Sequence, residues 1–337
     1  MAEAALHATR EQILAYRLRS SYLDKRLSFS AESLHGAGWA GLTDSMPRAA
    51  LLSLHARVDS VDPRGWEHPS LVQVWGPRFS AYVVAADDWA PFTLGRMPRS
   101  GGRRKTAEEI VTRLADFLGR ERMEYSAAGH AMGVQPNSLR YGTLTGRVMI
   151  RWEGSGKPLI WLVDPPDISE DDARRELARR YLHVFGVGTA GSFGSWAGVN
   201  TTQAKLTFEE VAAELIPVSS PVGAGFALAS QEADLRAKAG GSSEVRLIPS
   251  GDNYYLLNGA DRELLVPDDT RRPELWTSRV WPGAVLIGNE VVGIWRRRKS
   301  KVTISAWRDL SQAQKQRIEA EAEAFPLEEQ PISILWD

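Results

Sequence analysis

The sequence predicts an α+β protein built from three tandem winged-helix units and a small, β-rich, barrel-like C-terminal domain. The order of three helices followed by two strands occurs three times up to residue 240. Beyond residue 244 the pattern changes to short strands separated by turns. The chain of 337 residues is long enough for several small domains. We place these domains at residues 1–98, 104–165, 166–240 and 244–337.

The first unit combines helical spacing of apolar residues with a predicted hairpin. Its helices are predicted over residues 12–23, over residues 31–37 and in a third segment that Thr43 or Asp44 caps. Strands at residues 71–75 and 79–85 flank the turn Gly76-Pro77-Arg78. This order is that of a helix-turn-helix with a wing, which can contact the DNA backbone beside the groove.

The second and third units repeat this order. A linker rich in Gly, Ser and Arg at residues 98–104 precedes the second unit, and Thr106 with Glu109 predicts a capping box. Ser169, Thr189 and either Thr201 or Thr202 are the predicted caps of the third unit. The helices are predicted over residues 106–118, 126–132, from Pro136 onward, 171–182, 192–197 and 204–215. The strands are predicted at residues 147–152, 159–163, Val218 and 226–229.

The C-terminal domain reads as short strands followed by one helix. Turns such as Gly288-Asn289 separate the strands. The strands are predicted at residues 245–248, 254–257, 264–266, 284–287, 291–295 and 301–305. Ser311 predicts the start of a closing helix over residues 312–325.

Composition excludes several kinds of site. The chain has no cysteine, which removes disulfides, thiolate zinc sites and cysteine nucleophiles. Its 6 histidines lack metal-ligand spacing and no glycine-rich loop carries a Walker lysine, so we expect neither a metal nor a cofactor. The first residues lack a secretory signal, and no apolar run reaches the roughly 18 residues of a membrane span. We therefore expect a cytoplasmic protein that does not enter the membrane.

Charge is unevenly distributed along the chain. The net charge of −1 argues against a uniformly basic nucleic-acid-binding surface. Residues 95–105 and 295–301 nevertheless carry arginines and lysines without any acid. Such local basic patches suit phosphate binding, and the alternative is that they are solvated surface loops.

Several short segments resemble one protein family. They are Arg180-Tyr181-Leu182-His183-Val184-Phe185-Gly186, Ser195-Trp196-Ala197-Gly198-Val199, Arg246-Leu247-Ile248-Pro249, Asp261-Arg262 and Val292-Gly293-Ile294-Trp295-Arg296. Together they resemble the AlkZ/YcaQ-type winged-helix DNA glycosylases over nearly the whole chain. The resemblance implies excision of bulky N7-alkylated purines. The lesions removed by this family include crosslinks left by genotoxic natural products. The resemblance therefore also implies a role in the self-resistance of an antibiotic producer.

The resemblance also implies where catalysis takes place. Characterised members carry a Gln-x-Gln or Gln-x-Asp motif after the third helix of the first unit, and His55-Ala56-Arg57 stands at the matching positions. An N7-alkylated purine is a good leaving group because the base is already cationic. The enzyme must therefore stabilise a cationic sugar and orient a water.

The motif segment admits more than one geometry. We predict His55 and Asp59 as a general-base pair and Arg57 as a clamp on the flanking phosphate. If the helix continues, His55 and Asp59 share a face, whereas in an extended chain residues 55, 57 and 59 share one side. The alternative is a helix-end histidine next to a surface ion pair between Arg57 and Asp59.

Further residues are predicted to contact DNA from the hairpins and helices. The start of a third helix can face a groove, and arginines beside a wing can meet phosphates. These candidates are Arg78, Asn137, Arg140, Arg147, Arg296, Arg297 and Arg298. Trp39, Trp66 and Trp75 are candidates for stacking on a lesion, although core packing is favoured for each.

Two functions remain open at this point. The first is a monofunctional DNA glycosylase, acting as a monomer on double-stranded DNA that carries alkylated guanine or adenine. The second is a non-catalytic DNA-binding protein, a regulator or lesion sensor, which the changed motif supports. Formation of abasic sites in adducted DNA separates the two.

Overall fold

The chain forms an α+β fold with three β-sheets. The computed structural model describes residues 6–154, 156–238, 240 and 242–337. The α+β fold class predicted from the sequence is confirmed in these residues. Within the same residues, no helix is long and apolar enough to cross a membrane.

The predicted helices and hairpin of the first unit are present; the strand at residues 71–75 has the predicted ends, and the other elements have shifted ends. Its helices are α1 (Arg10–Ser20), α2 (Ala31–Gly38), α3 (Ala49–Arg57) and the short α4 (Trp89–Phe92). Its strands are β1 (Leu6–His7), β2 (Leu42–Thr43), β3 (Leu71–Trp75) and β4 (Ala81–Ala85). Thr9 and Gln12 form a capping box at α1, and the Ser30 side chain caps α2, because each satisfies amides that lack helical partners.

Helix α3 begins without a side-chain N-cap. Arg48 occupies the cap position in the left-handed region, with φ 65°. Thr43, one of the two predicted caps, lies in β2 instead. Asp44 accepts a hydrogen bond from the Ala50 N–H at 3.1 Å, so the second predicted residue does satisfy an amide of the first turn.

The second unit differs from its prediction at two helices. Its elements are α5 (Gly102–Leu118), β5 (Met123–Glu124), α6 (Tyr125–Ala131), β6 (Val148–Arg151) and β7 (Leu159–Leu162). Thr106 lies inside α5, whose N-cap is Gly101, so the predicted capping box and the full length of the linker are wrong. The helix predicted from Pro136 is a 3-10 helix, Pro136–Thr145. Its proline, glycine and threonines have low α-helix propensity.

The hairpins of the first two units join into one sheet. A six-stranded sheet has the order β2-β4-β3-β6-β7-β5, and β3 meets β6 at Gln73 and Ile150. The Gln73 amide reinforces the junction because it donates to Asp44 Oδ2 at 2.9 Å and accepts from the Trp152 N–H at 2.7 Å. These hairpins are therefore strands of a shared sheet, whereas the sequence predicted two separate wings.

The third unit contains the second-longest helix of the described residues, and a side chain caps it. Its elements are α7 (Glu170–Phe185), α8 (Ala190–Ala197), α9 (Thr201–Glu210), β8 (Leu215–Ser220), β9 (Gly223–Leu228) and α10 (Glu232–Arg236). The predicted caps Ser169 and Thr189 are confirmed, whereas Asn200 caps α9 in place of either threonine. Strand β1 adds to the hairpin in the order β1-β8-β9, so the start of the described chain packs on the third unit.

The C-terminal domain is an open sheet with helices. Its elements are β10 (Val245–Ile248), α11 (Asp261–Leu265), α12 (Arg272–Leu275), β11 (Gly283–Ile287), β12 (Glu290–Arg298), β13 (Lys301–Ala306), α13 (Gln312–Glu323) and β14 (Ser333–Trp336). The strands predicted at residues 254–257 and 264–266 are wrong, since these residues form a 3-10 turn and α11. Short apolar runs do not distinguish a buried strand from a buried helix. The sheet order β10-β11-β12-β13-β14 is linear, which differs from a closed barrel.

One buried apolar cluster joins all parts of the fold. It contains Leu14 of α1, Met149 of β6, Tyr181 of α7 and Ile248 of β10. A second cluster packs α13 against the C-terminal sheet and includes Leu52 of α3. Helix α3 therefore packs on the rest of the first unit on one side and on the C-terminal domain on the other.

Candidate active site

The motif segment His55-Ala56-Arg57 forms the last turn of α3, and both polar side chains are buried. His55 is 7% exposed and Arg57 is 3% exposed. Two positions along an α-helix correspond to roughly 200°, so these side chains point in different directions. The imidazole packs toward α13, while the guanidinium reaches the turn that follows β10.

Arg57 is held by an ion pair with Asp252. Its Nη1 and Nη2 donate to Asp252 Oδ2 and Oδ1, each at 2.8 Å. The Ser53 hydroxyl donates to the same carboxylate at 2.6 Å. The structure therefore does not support the predicted phosphate clamp, because a buried carboxylate already neutralises the guanidinium. The surface ion pair between Arg57 and Asp59 is likewise not among the contacts of the described chain.

His55 contacts a different set of groups. Arg26 donates through Nε to the His55 carbonyl at 2.6 Å, and its Nη2 lies 3.3 Å from His55 Nε2. Arginine only donates, so Nε2 accepts and the ring proton belongs on Nδ1. The same Nη2 donates to Glu321 of α13 at 2.5 Å. The predicted pairing with Asp59 is not formed, because Asp59 follows the helix end and is exposed.

The electrostatic surroundings make His55 a weak base. Burial, together with the charges of Arg26 and Arg246, lowers the pKa of His55 to about 3. The imidazole is therefore neutral at physiological pH, and its 4.0 Å approach to Glu321 Oε1 is not an ion pair. A group with this pKa takes up little proton near pH 7, so His55 suits positioning better than proton transfer.

A cavity of about 450 Å³ opens beside Arg57. It lies between the end of α1, helix α2, the end of α3 and helix α7. Its wall includes Tyr22, His35, Trp39, Arg57, His183 and Asn253. We call it the α2 cavity. Its volume and its mixture of aromatic and polar groups are typical of a small-molecule or nucleobase site.

Trp39 provides the largest aromatic surface of the α2 cavity. The Arg180 guanidinium lies over its ring at 4.8 Å from the centroid, and the His183 ring meets it edge-on at 4.7 Å. Trp39 is half-buried, whereas Trp66 and Trp75 are buried as the sequence analysis favoured. Of these three tryptophans, Trp39 is therefore the one placed to stack on a ligand.

His35, in the wall of the α2 cavity, forms a second polar pair with Asp88. His35 Nε2 lies 2.9 Å from Asp88 Oδ2, and Asp88 Oδ1 lies 2.9 Å from Arg180 Nη2. The His35 side chain is 43% exposed. The sequence analysis missed this pair because its members are far apart in the chain. The one available signal was Arg180, which the family resemblance singled out without a role.

The candidate DNA-binding residues of the first two units lie at the surface or partly below it. Arg78 is exposed in the turn between β3 and β4, and Asn137 is exposed in the 3-10 helix. Arg140 is half-buried, with its guanidinium 5.7 Å from the Trp75 ring centroid. Arg147 is half-buried and donates weakly to a backbone carbonyl. Within the described residues, none of these arginines forms an ion pair.

The C-terminal arginines lie inside a strand. Arg296, Arg297 and Arg298 are the last residues of β12, whereas the sequence analysis placed them beyond its end. Arg296 and Arg298 are exposed, and Arg298 stands opposite Lys301 of β13. None of the three has an acidic partner in the described part of the chain. The end of β12 and the start of β13 therefore form a basic surface.

The basic run at residues 95–105 is mostly structural. Arg96 is buried and donates to the carbonyls of Trp75, Gly76 and Ala197, and burial lowers its pKa to about 9. Arg99 pairs with Asp171 and Glu210, and Arg104 with Glu170. The prediction of a free phosphate-binding patch is therefore wrong for Arg96, Arg99 and Arg104. The contacts of these side chains connect the first and second units to the third.

Comparison with known proteins agrees with the geometry of the fold. The model of the AlkZ-like DNA glycosylase family matches residues 39–326. An interstrand DNA cross-link repair glycosylase from Streptomyces sahachiroi is 22% identical, over 94% of this chain and 95% of its own length. The solved structure of the Streptomyces sahachiroi DNA glycosylase AlkZ is similar with a TM-score of 0.77 and 16% identity. That similarity covers 98% of this chain and all of the other. This protein belongs to the AlkZ-like family of DNA glycosylases.

Proposed function

We propose that this protein hydrolyses the N-glycosidic bond of bulky N7-alkylated guanine or adenine in double-stranded DNA. The observation that carries the proposal is the family match over residues 39–326. The choice of bulky or crosslinked lesions is supported by the relative named as an interstrand cross-link repair glycosylase, which aligns along nearly the full length. We further propose that the protein acts as a monomer, with its units cradling the duplex.

The α2 cavity is the proposed position of the lesion. Trp39 supplies a fixed aromatic face for the modified base or its adduct, and base–aromatic stacking is worth about 1–3 kcal/mol. Arg57, the motif residue in the cavity wall, has its charge balanced by Asp252. A developing cationic sugar therefore does not meet an uncompensated positive charge. His55 supports the end of α3 from the opposite side, and Asp59 stands exposed just beyond it.

The test is excision from duplexes of defined sequence. One duplex carries a single N7-methylguanine, a second carries a bulky N7-alkylguanine, and a third is unmodified. We expect release of the modified base and an alkali-labile abasic site in the adducted strands, with no cleavage of the unmodified duplex. Absence of abasic sites with every adducted duplex would overturn the proposal.

A matched pair of tryptophan variants tests the position of the lesion. Trp39→Ala is expected to slow excision by about 10-fold or more, because the stacking surface is lost. Trp336→Ala removes a half-buried tryptophan of β14 that does not line the α2 cavity, and should behave as the wild type. Equal rates for the wild type and Trp39→Ala would place the lesion elsewhere.

A second candidate function is supported by the two motif positions. Arg57 is occupied by Asp252, and His55 is neutral and buried, so neither is free to activate water. A scaffold in this state suits a non-catalytic regulator or lesion sensor. Tight, salt-dependent binding to adducted DNA without abasic sites would favour this second function.

A further inference from the structure

Arg180, Asp88 and His35 form a chain of polar contacts that ends at the α2 cavity. The three residues come from α7, from the turn before α4 and from α2. Arg180 Nη2 contacts one oxygen of Asp88 at 2.9 Å, and the other oxygen contacts His35 Nε2 at 2.9 Å. Neither the motif segment nor the stacking role of Trp39 uses these contacts.

The inner end of this chain is rigid. Arg180 is 3% exposed, and its three guanidinium nitrogens all have partners. Nη1 donates to the Trp39 carbonyl at 2.7 Å, Nε contacts Glu176 at 3.0 Å, and Nη2 holds Asp88. A guanidinium held at all three of its nitrogens keeps one orientation. Arg180 therefore fixes the Asp88 carboxylate, and the carboxylate fixes the imidazole.

The outer end of the chain is open to water. A carboxylate only accepts hydrogen bonds, so neutral His35 carries its proton on Nε2 and leaves the Nδ1 lone pair available. Nδ1 has no hydrogen-bond partner among the described residues. The 43% exposure of the side chain contrasts with the 7% exposure of His55. A carboxylate that orients an imidazole in this way is the arrangement of a general base.

We propose that His35 is the general base of this glycosylase, with Asp88 and Arg180 as its positioning residues. The inference rests on the proposed function. The bond between C1′ and the purine nitrogen breaks, and its electron pair neutralises the cationic base as it leaves. A water oxygen bonds to C1′, and its proton passes to His35 Nδ1 and then to solvent. The products are the neutral alkylpurine, the abasic sugar and one proton.

The experiment measures single-turnover excision of N7-methylguanine and, separately, the Kd for the same duplex. His35→Gln keeps helix propensity and a donor toward Asp88 but cannot take up the proton. We expect excision to slow on the order of 100-fold, which is within the range of general-base catalysis, with the Kd changed less than about 2-fold. His7→Gln, on β1 and away from the cavity, is the control with wild-type rates.

Two further readouts separate catalysis from structure. His35→Ala leaves space for free imidazole, and added imidazole is expected to restore part of the rate. Asp88→Asn is expected to slow excision at unchanged Kd, because an amide N–H donating to Nε2 selects the wrong tautomer. If the wild type excises the base and His35→Gln does so at the same rate, this inference is overturned and the proposed function stays intact. Failure of the wild type to form abasic sites would overturn both.

Discussion

Arg57 and Asp252 form a two-pronged ion pair in which both side chains are buried. Burial alone would raise the pKa of Asp252, but the Arg57 charge and the hydrogen bonds from Arg57 and Ser53 outweigh it and hold the pKa below its ordinary value. The pair connects the end of α3 to the turn after β10. The motif position that borders the α2 cavity therefore also joins the first unit to the C-terminal domain.

Arg57→Met should destabilise the protein strongly. The variant keeps most of the side-chain volume but leaves the Asp252 carboxylate buried and unpaired, which typically costs about 3–5 kcal/mol. Denaturant unfolding measures the change. Arg64→Met removes the exposed ion pair with Glu67 and should leave the free energy of unfolding nearly unchanged. An equally small effect of Arg57→Met would show that the ion pair contributes little.

The stability of the wild type should depend on pH through His55. Its folded pKa of about 3 lies below the ordinary 6.5, so the unfolded chain takes up the proton first. The stabilisation is complete above pH 6.5 and is lost as the pH falls toward 3. The slope is at most about 1.4 kcal/mol per pH unit for one proton.

His55→Gln isolates this contribution. Asp44, whose pKa burial raises to about 6, has the opposite effect between pH 3.8 and 6, but it is present in both proteins and cancels. The difference in free energy of unfolding between the wild type and His55→Gln should therefore shrink as the pH falls from 7 to 4. Parallel pH profiles would mean that His55 is protonated equally in the folded and unfolded states.

Gly198→Ala should disturb the contact between the first and third units. Gly198 ends α8 with φ 69°, and an added Cβ would lie 2.8 Å from the Arg78 backbone nitrogen. Gly133→Ala is the matched control, because Gly133 has φ 64° but open space around its Cβ position. The left-handed backbone costs about 1–2 kcal/mol in each variant. Thermal unfolding should show a larger loss for Gly198→Ala, and equal losses would exclude the steric contact.

Arg78→Gln and Arg298→Gln should weaken DNA binding without changing its sequence preference. Both side chains are exposed, and neither pairs with an acid in the described residues. Each lost phosphate contact should reduce the slope of log Kd against log salt by about 0.9. Arg236→Gln, whose arginine pairs with Glu232, should leave the slope unchanged. An unaltered slope in both test variants would remove these residues from the DNA interface.

Local signals accounted for many of the elements. Ser169, Thr189 and Ser311 were predicted as caps and are caps, because a side-chain oxygen before a helix acts on amides only two or three residues away. Strands β3 and β10 were predicted at their observed residues, since alternation or an apolar run between turns is also local. The predicted cap at Thr106 was wrong because the helix begins earlier, at a glycine-rich turn with no capping side chain.

The sequence by itself determined the α+β class, most helices and hairpins, and the family whose motif positions are His55 and Arg57. Only the tertiary structure decided which groups those two side chains contact. Asp252 neutralises Arg57, Arg26 and Glu321 surround His55, and Asp88 reaches His35 with Arg180 behind it. These partners are separated by tens to hundreds of residues, so no spacing rule connects them. Side-chain burial and charge balance depend on how distant segments pack. For this reason the sequence pointed to His55 of α3 as the general base, whereas we propose His35 of α2 from the structure.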